Sequence, residues 1–192
     1  MKLNNKYYLL RHGEAVSNVK RICSSWPEEF ENPLTENGVA MIEVSAKKLD
    51  GKGVSLIFTS DLLRTKQTAE IVAKTLQLPV NFDTRLREIS FGVFNNKSVD
   101  EFEKHFENQQ ERVKAKVPGG ENYTEILDRI WNFMEEIDGK YQGKTIVIIS
   151  HQAPLLLLVG KVKGYSIIES IENIGTIFHE KRITRGELVE LN

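Results

Sequence analysis

The sequence predicts an α/β fold, a three-layer sandwich with a mostly parallel central sheet and helices on both faces. Three observations predict it. Short apolar, β-branched runs alternate with segments of helical periodicity. No internal repeat, low-complexity tract or Pro/Gly/Ser-rich linker interrupts the 192 residues, so one domain spanning 1–192, large enough for a full core, is expected. Residues 145–149, Thr-Ile-Val-Ile-Ile, show no polar alternation, as expected of a strand buried on both faces at the centre of the sheet.

The elements follow in order. Residues 7–10 read as the first strand, running into Arg11-His12. Thr35 suits the N-cap of a helix that places Val39, Ile42, Ala46 and Leu49 on one face. Residues 54–58 form a second strand ending at Thr59-Ser60. Ser60 then caps a helix with Leu62, Ala69, Val72 and Leu76 turned inward. Residues 80–82 are a short third strand. The least regular stretch, 93–120, is punctuated by Asn95-Asn96 and Pro118-Gly119-Gly120. It reads as a partly helical excursion over the sheet and over any site at the sheet's edge. Asn122 or Tyr123 opens a helix with Ile126, Ile130, Phe133 and Ile137 inward. After the strand at 145–149, Pro154 suits the first turn of a helix through 155–159. Residues 176–180 and 187–191 suggest a hairpin around Arg185-Gly186, whose exposed edge could support a homodimer.

Composition narrows the function. Lys and Arg total 26 against 27 Asp and Glu, a net charge of -1, so no overall positive field draws in nucleic acid or acidic lipid. The first ten residues lack a signal-peptide pattern, and no apolar run approaches membrane-spanning length. Cys23 is the only cysteine, which rules out an intrachain disulfide and a Cys-rich metal cluster and suits a reducing compartment. A cytoplasmic setting is expected.

Open α/β sheets bind ligands beyond the carboxyl ends of their strands. The first strand delivers Arg11 and His12 there, the second leads into a helix whose first turn carries Arg64, and the fourth delivers His151. Helix starts near Ser60 and Gln152 add N–H donors and positive dipole ends. Guanidinium forks match phosphate oxygens and keep their charge at any working pH. Such a pocket is built for a multiply charged oxyanion. His12 can act as a nucleophile if one ring nitrogen is free and the other is tied to an acceptor. Glu88 is the candidate acid, since a carboxylic acid near a partly shielded phosphate should have a raised pKa. Glu14 is its rival.

Leu10-Arg11-His12-Gly13-Glu14 with Asn18 resembles the signature of the histidine phosphatase superfamily, which includes cofactor-dependent phosphoglycerate mutases. The order of the remaining pieces matches too. These are Pro33 to Gly38, Ser60 to Ala69 around Arg64, Glu88 with Phe91-Gly92, Pro118-Gly119-Gly120-Glu121 and Ser150-His151. The resemblance covers nearly the whole chain. It implies that His12 becomes phosphorylated, that Arg11, Arg64 and His151 bind the phosphoryl oxygens with help from Asn18, and that Glu88 protonates the leaving oxygen and then activates water. It implies no metal and no cofactor. Two departures bear on substrate choice. Gln152 stands where the family often has Gly, and it is expected to add a contact to the phosphate site. Phe94-Asn95-Asn96 replaces a common Trp-Glu-Gly.

Other residues carry two readings. Asn18 could cap a turn, and Glu121 could cap the helix that follows it. Residues 21–30 and 93–117 should line the mouth, with Arg21 and Ser24 as substrate contacts. Trp26 and Phe94 could stack on a ring or pack. His105 and His179 read as surface residues. Cys23 reads as inert, because the residue six positions on is Glu29 and not the arginine of a cysteine phosphatase loop. Hydrolysis of a small phosphorylated metabolite is the expected activity. The short 93–117 stretch favours it over the mutase alternative, whose members carry a longer excursion. A phospho-ligand binding module is the third reading, but binding alone needs neither nucleophile nor acid.

Overall fold

The computed structural model describes residues 2–174 and 183–192. Its strands are β1 (Lys6–Arg11), β2 (Val54–Thr59), β3 (Val80–Phe82), β4 (Thr145–Ser150) and β5 (Leu188–Glu190). Its helices are α1 (Val16–Lys20), α2 (Glu36–Leu49), α3 (Leu63–Leu76), α4 (Val99–Lys104), α5 (Tyr123–Lys140), α6 (Gln152–Val162) and α7 (Ile167–Ile174). The sheet order is β3-β2-β4-β1-β5. β4 lies at its centre, parallel to β1 on one side and β2 on the other, while β5 runs antiparallel along β1.

The two-residue alternation of the strands splits the core into two layers. Tyr7, Leu9, Phe58, Ile146 and Ile148 face α5 and α6, and meet Ile126, Ile130, Phe133, Leu155 and Leu158. Tyr8, Leu10, Ile57, Val147 and Ile149 face α2 and α3, and meet Ile42, Ala46, Leu49, Ala69 and Val72. The expected three-layer α/β architecture is therefore what the chain adopts.

Thr35 caps α2 through its side-chain oxygen, which accepts from Gly38 N–H, and Asn122 caps α5 in a reciprocal box with Glu125. Val39 departs from its expected inward position and is 37% exposed, because the buried stripe of α2 runs through Gly38, Ile42, Ser45, Ala46 and Leu49. Ser60 also departs from expectation. The N-cap of α3 is Leu62, with no side-chain cap, and the Ser60 hydroxyl turns towards His151 instead. Of the expected terminal hairpin, 176–180 and His179 lie outside the described residues. Its second arm is seen as β5, preceded by Gly186, whose N–H reaches the carbonyls of Arg11 and His12.

The 93–120 stretch holds α4 and a 3-10 turn at Gln109–Val113. It is anchored from below, because Phe102, Phe106 and Val117 join the core shared by α5 and α6. The Arg112 guanidinium lies over the Phe102 and Phe106 rings at 4.7 and 5.0 Å and pairs with Glu103. Among the described residues no helix is long and apolar enough to cross a membrane.

Candidate active site

The carboxyl ends of β1 and β4 lie side by side, with Arg11 in register with Ser150, so His12 and His151 leave the sheet together. Their ring centroids are 5.1 Å apart. The loop after β1 is fixed by backbone contact with the start of α2. A Cβ on Gly13 would lie 2.4 Å from the Gly38 carbonyl oxygen, and one on Gly38 would lie 2.0 Å from that of Glu14. No other residue type fits at either position, which sets where His12 sits.

The His12 imidazole is held at both nitrogens. Nδ1 lies 2.7 Å from the Gly13 carbonyl oxygen. A carbonyl can only accept, so Nδ1 carries the proton and Nε2 keeps its lone pair. Arg64 Nε donates to that lone pair at 3.3 Å. Burial, followed by the charges of Arg64 and Arg11, holds the His12 pKa well below the usual histidine range. Nε2 is therefore unprotonated at neutral pH and can act as a nucleophile.

Arg64 sits on the first turn of α3, 2% exposed. Its Nη2 donates to the Ser24 carbonyl at 3.0 Å. Its Nη1 is buried without a hydrogen-bond partner, and Glu28 is the nearest carboxylate, 3.8 Å away. Arg11 Nη1 donates to Gln152 Oε1 and to the Ile183 carbonyl, each at 2.7 Å. Gln152 therefore orients Arg11, a role beyond the phosphate contact expected of it. His151 is fully buried, and its Nε2 lies 3.0 Å from Ser60 Oγ. Burial and the Arg64 charge hold its pKa well below the usual range too.

Glu88 lines the same cleft as His12, Arg11, Arg64, Asn18, Ser24, Cys23 and Phe91. One carboxylate oxygen accepts from Ile89 N–H at 2.9 Å and from Ala153 N–H at 3.3 Å, and the other carries no hydrogen bond among the described residues. The Glu88 backbone carbonyl is gripped by Ser25 Oγ and Arg129. Glu14, the rival acid, turns away to accept from Thr35 Oγ1 at 2.8 Å and from Asn37. Glu121 is engaged by Arg129 and accepts from Ser90 N–H, so it braces the segment that carries Glu88. Asn18 lines the cleft, and its Oδ1 accepts from Ala15 N–H in the turn that opens α1.

Arg21 is not brought to the cleft. Its side chain is more than half exposed and pairs with Asp100. Trp26 lies against Arg87, and Phe94 packs on Phe102, and neither lines the cleft around His12. Cys23 does line it, but burial pushes its thiol up to about 12, so it is not a thiolate nucleophile. The sequence reading missed Glu28, which accepts from Leu63 N–H at the start of α3, and Ser60 as a partner of His151. Nothing local marks either, since each partner is far along the chain. Among the described residues no cluster of three or more His, Cys, Asp or Glu is placed to hold a metal ion.

The family model of the histidine phosphatase superfamily (branch 1) matches residues 7–174. The chain is 32% identical over 162 residues to a protein from Escherichia coli named probable phosphoglycerate mutase GpmB, a match covering 82% of this chain and 74% of that one. Among solved structures it resembles YhfR of Bacillus stearothermophilus, with a TM-score of 0.77 and 29% identity, covering 86% of this chain and 83% of that one. It also resembles an alpha-ribazole phosphatase from Shigella flexneri, with a TM-score of 0.77 and 26% identity, covering 95% and 88%.

Proposed function

We propose that this chain, which belongs to the histidine phosphatase superfamily, hydrolyses small phosphomonoesters in the cytoplasm through a phosphohistidine on His12. The observation that carries this reading is the His12 ring, with Nδ1 tied to a carbonyl and Nε2 unprotonated beside Arg64.

In the first step His12 Nε2 forms a bond to phosphorus as the ester oxygen–phosphorus bond breaks. Glu88 gives its proton to the departing alkoxide. In the second step Glu88 takes a proton from water, water oxygen attacks phosphorus, and the nitrogen–phosphorus bond breaks to release phosphate. The arginines, His151 and the α3 and α6 N-termini offset charge on the phosphoryl oxygens, so positioning and electrostatics supply most of the rate. Arg11 and Arg64 provide the positive charge that a metal ion would otherwise provide.

The likeness to a protein named as a mutase favours a second reading, phosphoryl return to substrate at the same site. A mutase must keep water from the phosphohistidine. The 93–120 stretch is short here and commits its bulky side chains to the core, which supports hydrolysis. The test is phosphate release from a panel of phosphomonoesters with excess chelator present. Metal-free release by the wild type and none by His12→Ala are expected. Isomerisation of phosphoglycerate faster than phosphate release would overturn the reading in favour of the mutase, and release lost to chelator but restored by a divalent ion would overturn its metal-free form.

A further inference from the structure

Ser60 leads into α3 without capping it, and its hydroxyl is fully buried against the second histidine. Its Oγ lies 3.0 Å from His151 Nε2. The same oxygen accepts from Leu62 N–H at a long 3.4 Å. The other ring nitrogen, His151 Nδ1, is buried and has no hydrogen-bond partner. A neutral imidazole has one proton to place, and two placements exist.

If the proton is on Nε2, it points at Ser60 Oγ. The serine proton then finds no acceptor among the described residues, and Nδ1 presents a bare lone pair on a ring whose centroid lies 5.1 Å from that of His12, which the proposed chemistry phosphorylates. That lone pair repels a phosphoryl oxygen. If the proton is on Nδ1, Ser60 donates to Nε2 while accepting from Leu62 N–H. Each polar atom of the serine is then paired, and Nδ1–H is a donor for the incoming oxyanion.

We propose that Ser60 is a positioning residue that fixes His151 in the tautomer protonated on Nδ1, so that a neutral imidazole can donate a hydrogen bond to the phosphoryl group. The neutral ring is what makes the tautomer matter, since an imidazolium would donate from both nitrogens. Burial beside Arg64 keeps His151 neutral. A partner on the far nitrogen setting the reactive face of a histidine is familiar from metal and triad sites. Here a serine at the end of β2 does it across the sheet to the end of β4.

The inference takes its purpose from the phosphatase reading, but its test does not depend on turnover. Nitrogen-15 NMR of imidazole-labelled protein, with the His151 signals assigned by their loss in His151→Asn, reports the tautomer of the resting enzyme. A protonated Nδ1 and a bare Nε2 are expected. A proton on Nε2, or an averaged signal from both forms, overturns the proposal whatever the activity assay shows. Ser60→Ala should then average the two tautomers and lower kcat/KM by about tenfold, with Ser60→Thr restoring both the signal and the rate. An unchanged tautomer in folded Ser60→Ala would also overturn it. Should that variant fail to fold, the wild-type spectrum decides alone.

Discussion

At the scale of single residues, the site depends on which atoms are satisfied and which are left for substrate. His12 has Nδ1 tied to the Gly13 carbonyl and an unprotonated Nε2 whose lone pair meets only a long 3.3 Å bond from Arg64. Arg64 has Nη2 bound to Ser24, while Nη1 makes no hydrogen bond and meets only the Glu28 carboxylate at 3.8 Å. A buried guanidinium nitrogen without a hydrogen bond is costly unless a ligand oxygen meets it. Arg64→Lys keeps the charge but loses the fork, and kcat/KM should fall by about 10- to 100-fold, the equivalent of one charge-assisted hydrogen bond. Steady-state kinetics on a small aryl phosphate checks this, and an unchanged value would remove Arg64 from the phosphate site. Cys23 makes the opposite case. It lines the cleft as a neutral thiol, so Cys23→Ser should keep turnover within about threefold of wild type. Arg11, His12, Arg64, Glu88 and His151 were all legible in the sequence, because motif and strand-end placement mark the same residues. Glu28 and Ser60 were not. Glu28 meets the start of α3 from a loop 35 residues earlier, and Ser60 meets a residue 91 positions later.

At the scale of elements, legibility followed the strength of the local signal. The β-branched run of β4 marked the centre of the sheet, and Thr35 and Asn122 marked helix starts that the structure keeps. α1 went unread because five residues carry no period. α7 went unread although Ser166 and Glu169 form a reciprocal cap at its start, a Ser-x-x-Glu signal that was available. Val39 misled because, with the buried stripe of α2 centred on Ile42 and Ala46, its side chain falls at the edge. Two element-scale outcomes are expected. Ile130→Ala on α5, fully buried against the sheet, should cost about 2–5 kcal/mol, read as a lower urea midpoint with unchanged slope. Gly13→Ala should impair activity and stability together, because its Cβ must displace the Gly38 carbonyl and with it the loop that carries His12.

At the scale of the whole molecule, two neutral histidines buried among arginines couple the site to global stability. Both have folded-state pKa values well below the unfolded value of 6.5. The unfolded chain therefore binds protons that the native state does not, over the window from 6.5 down to the folded values. Stability rises with pH across that window and is lost as pH falls below 6.5, with a limiting slope of about 1.4 kcal/mol per pH unit for each histidine. Asp61, held below its ordinary range by Arg87, makes its loss only in a more acidic window. Urea unfolding between about pH 7 and about pH 5 should show this decline, and His151→Gln should make it shallower. Stability independent of pH there would mean that the histidines are not buried neutral.

The same neutral His12 is the premise of the proposed chemistry, and trapping the intermediate tests it most directly. Wild-type protein mixed with a fast-leaving aryl phosphate, quenched in base and digested should yield one peptide heavier by a single phosphoryl group. The modification should map to His12, resist base and be lost in acid, as a phosphoramidate is. Phosphate released at full rate with no phosphohistidine, or with the phosphoryl group on another residue, would contradict the account.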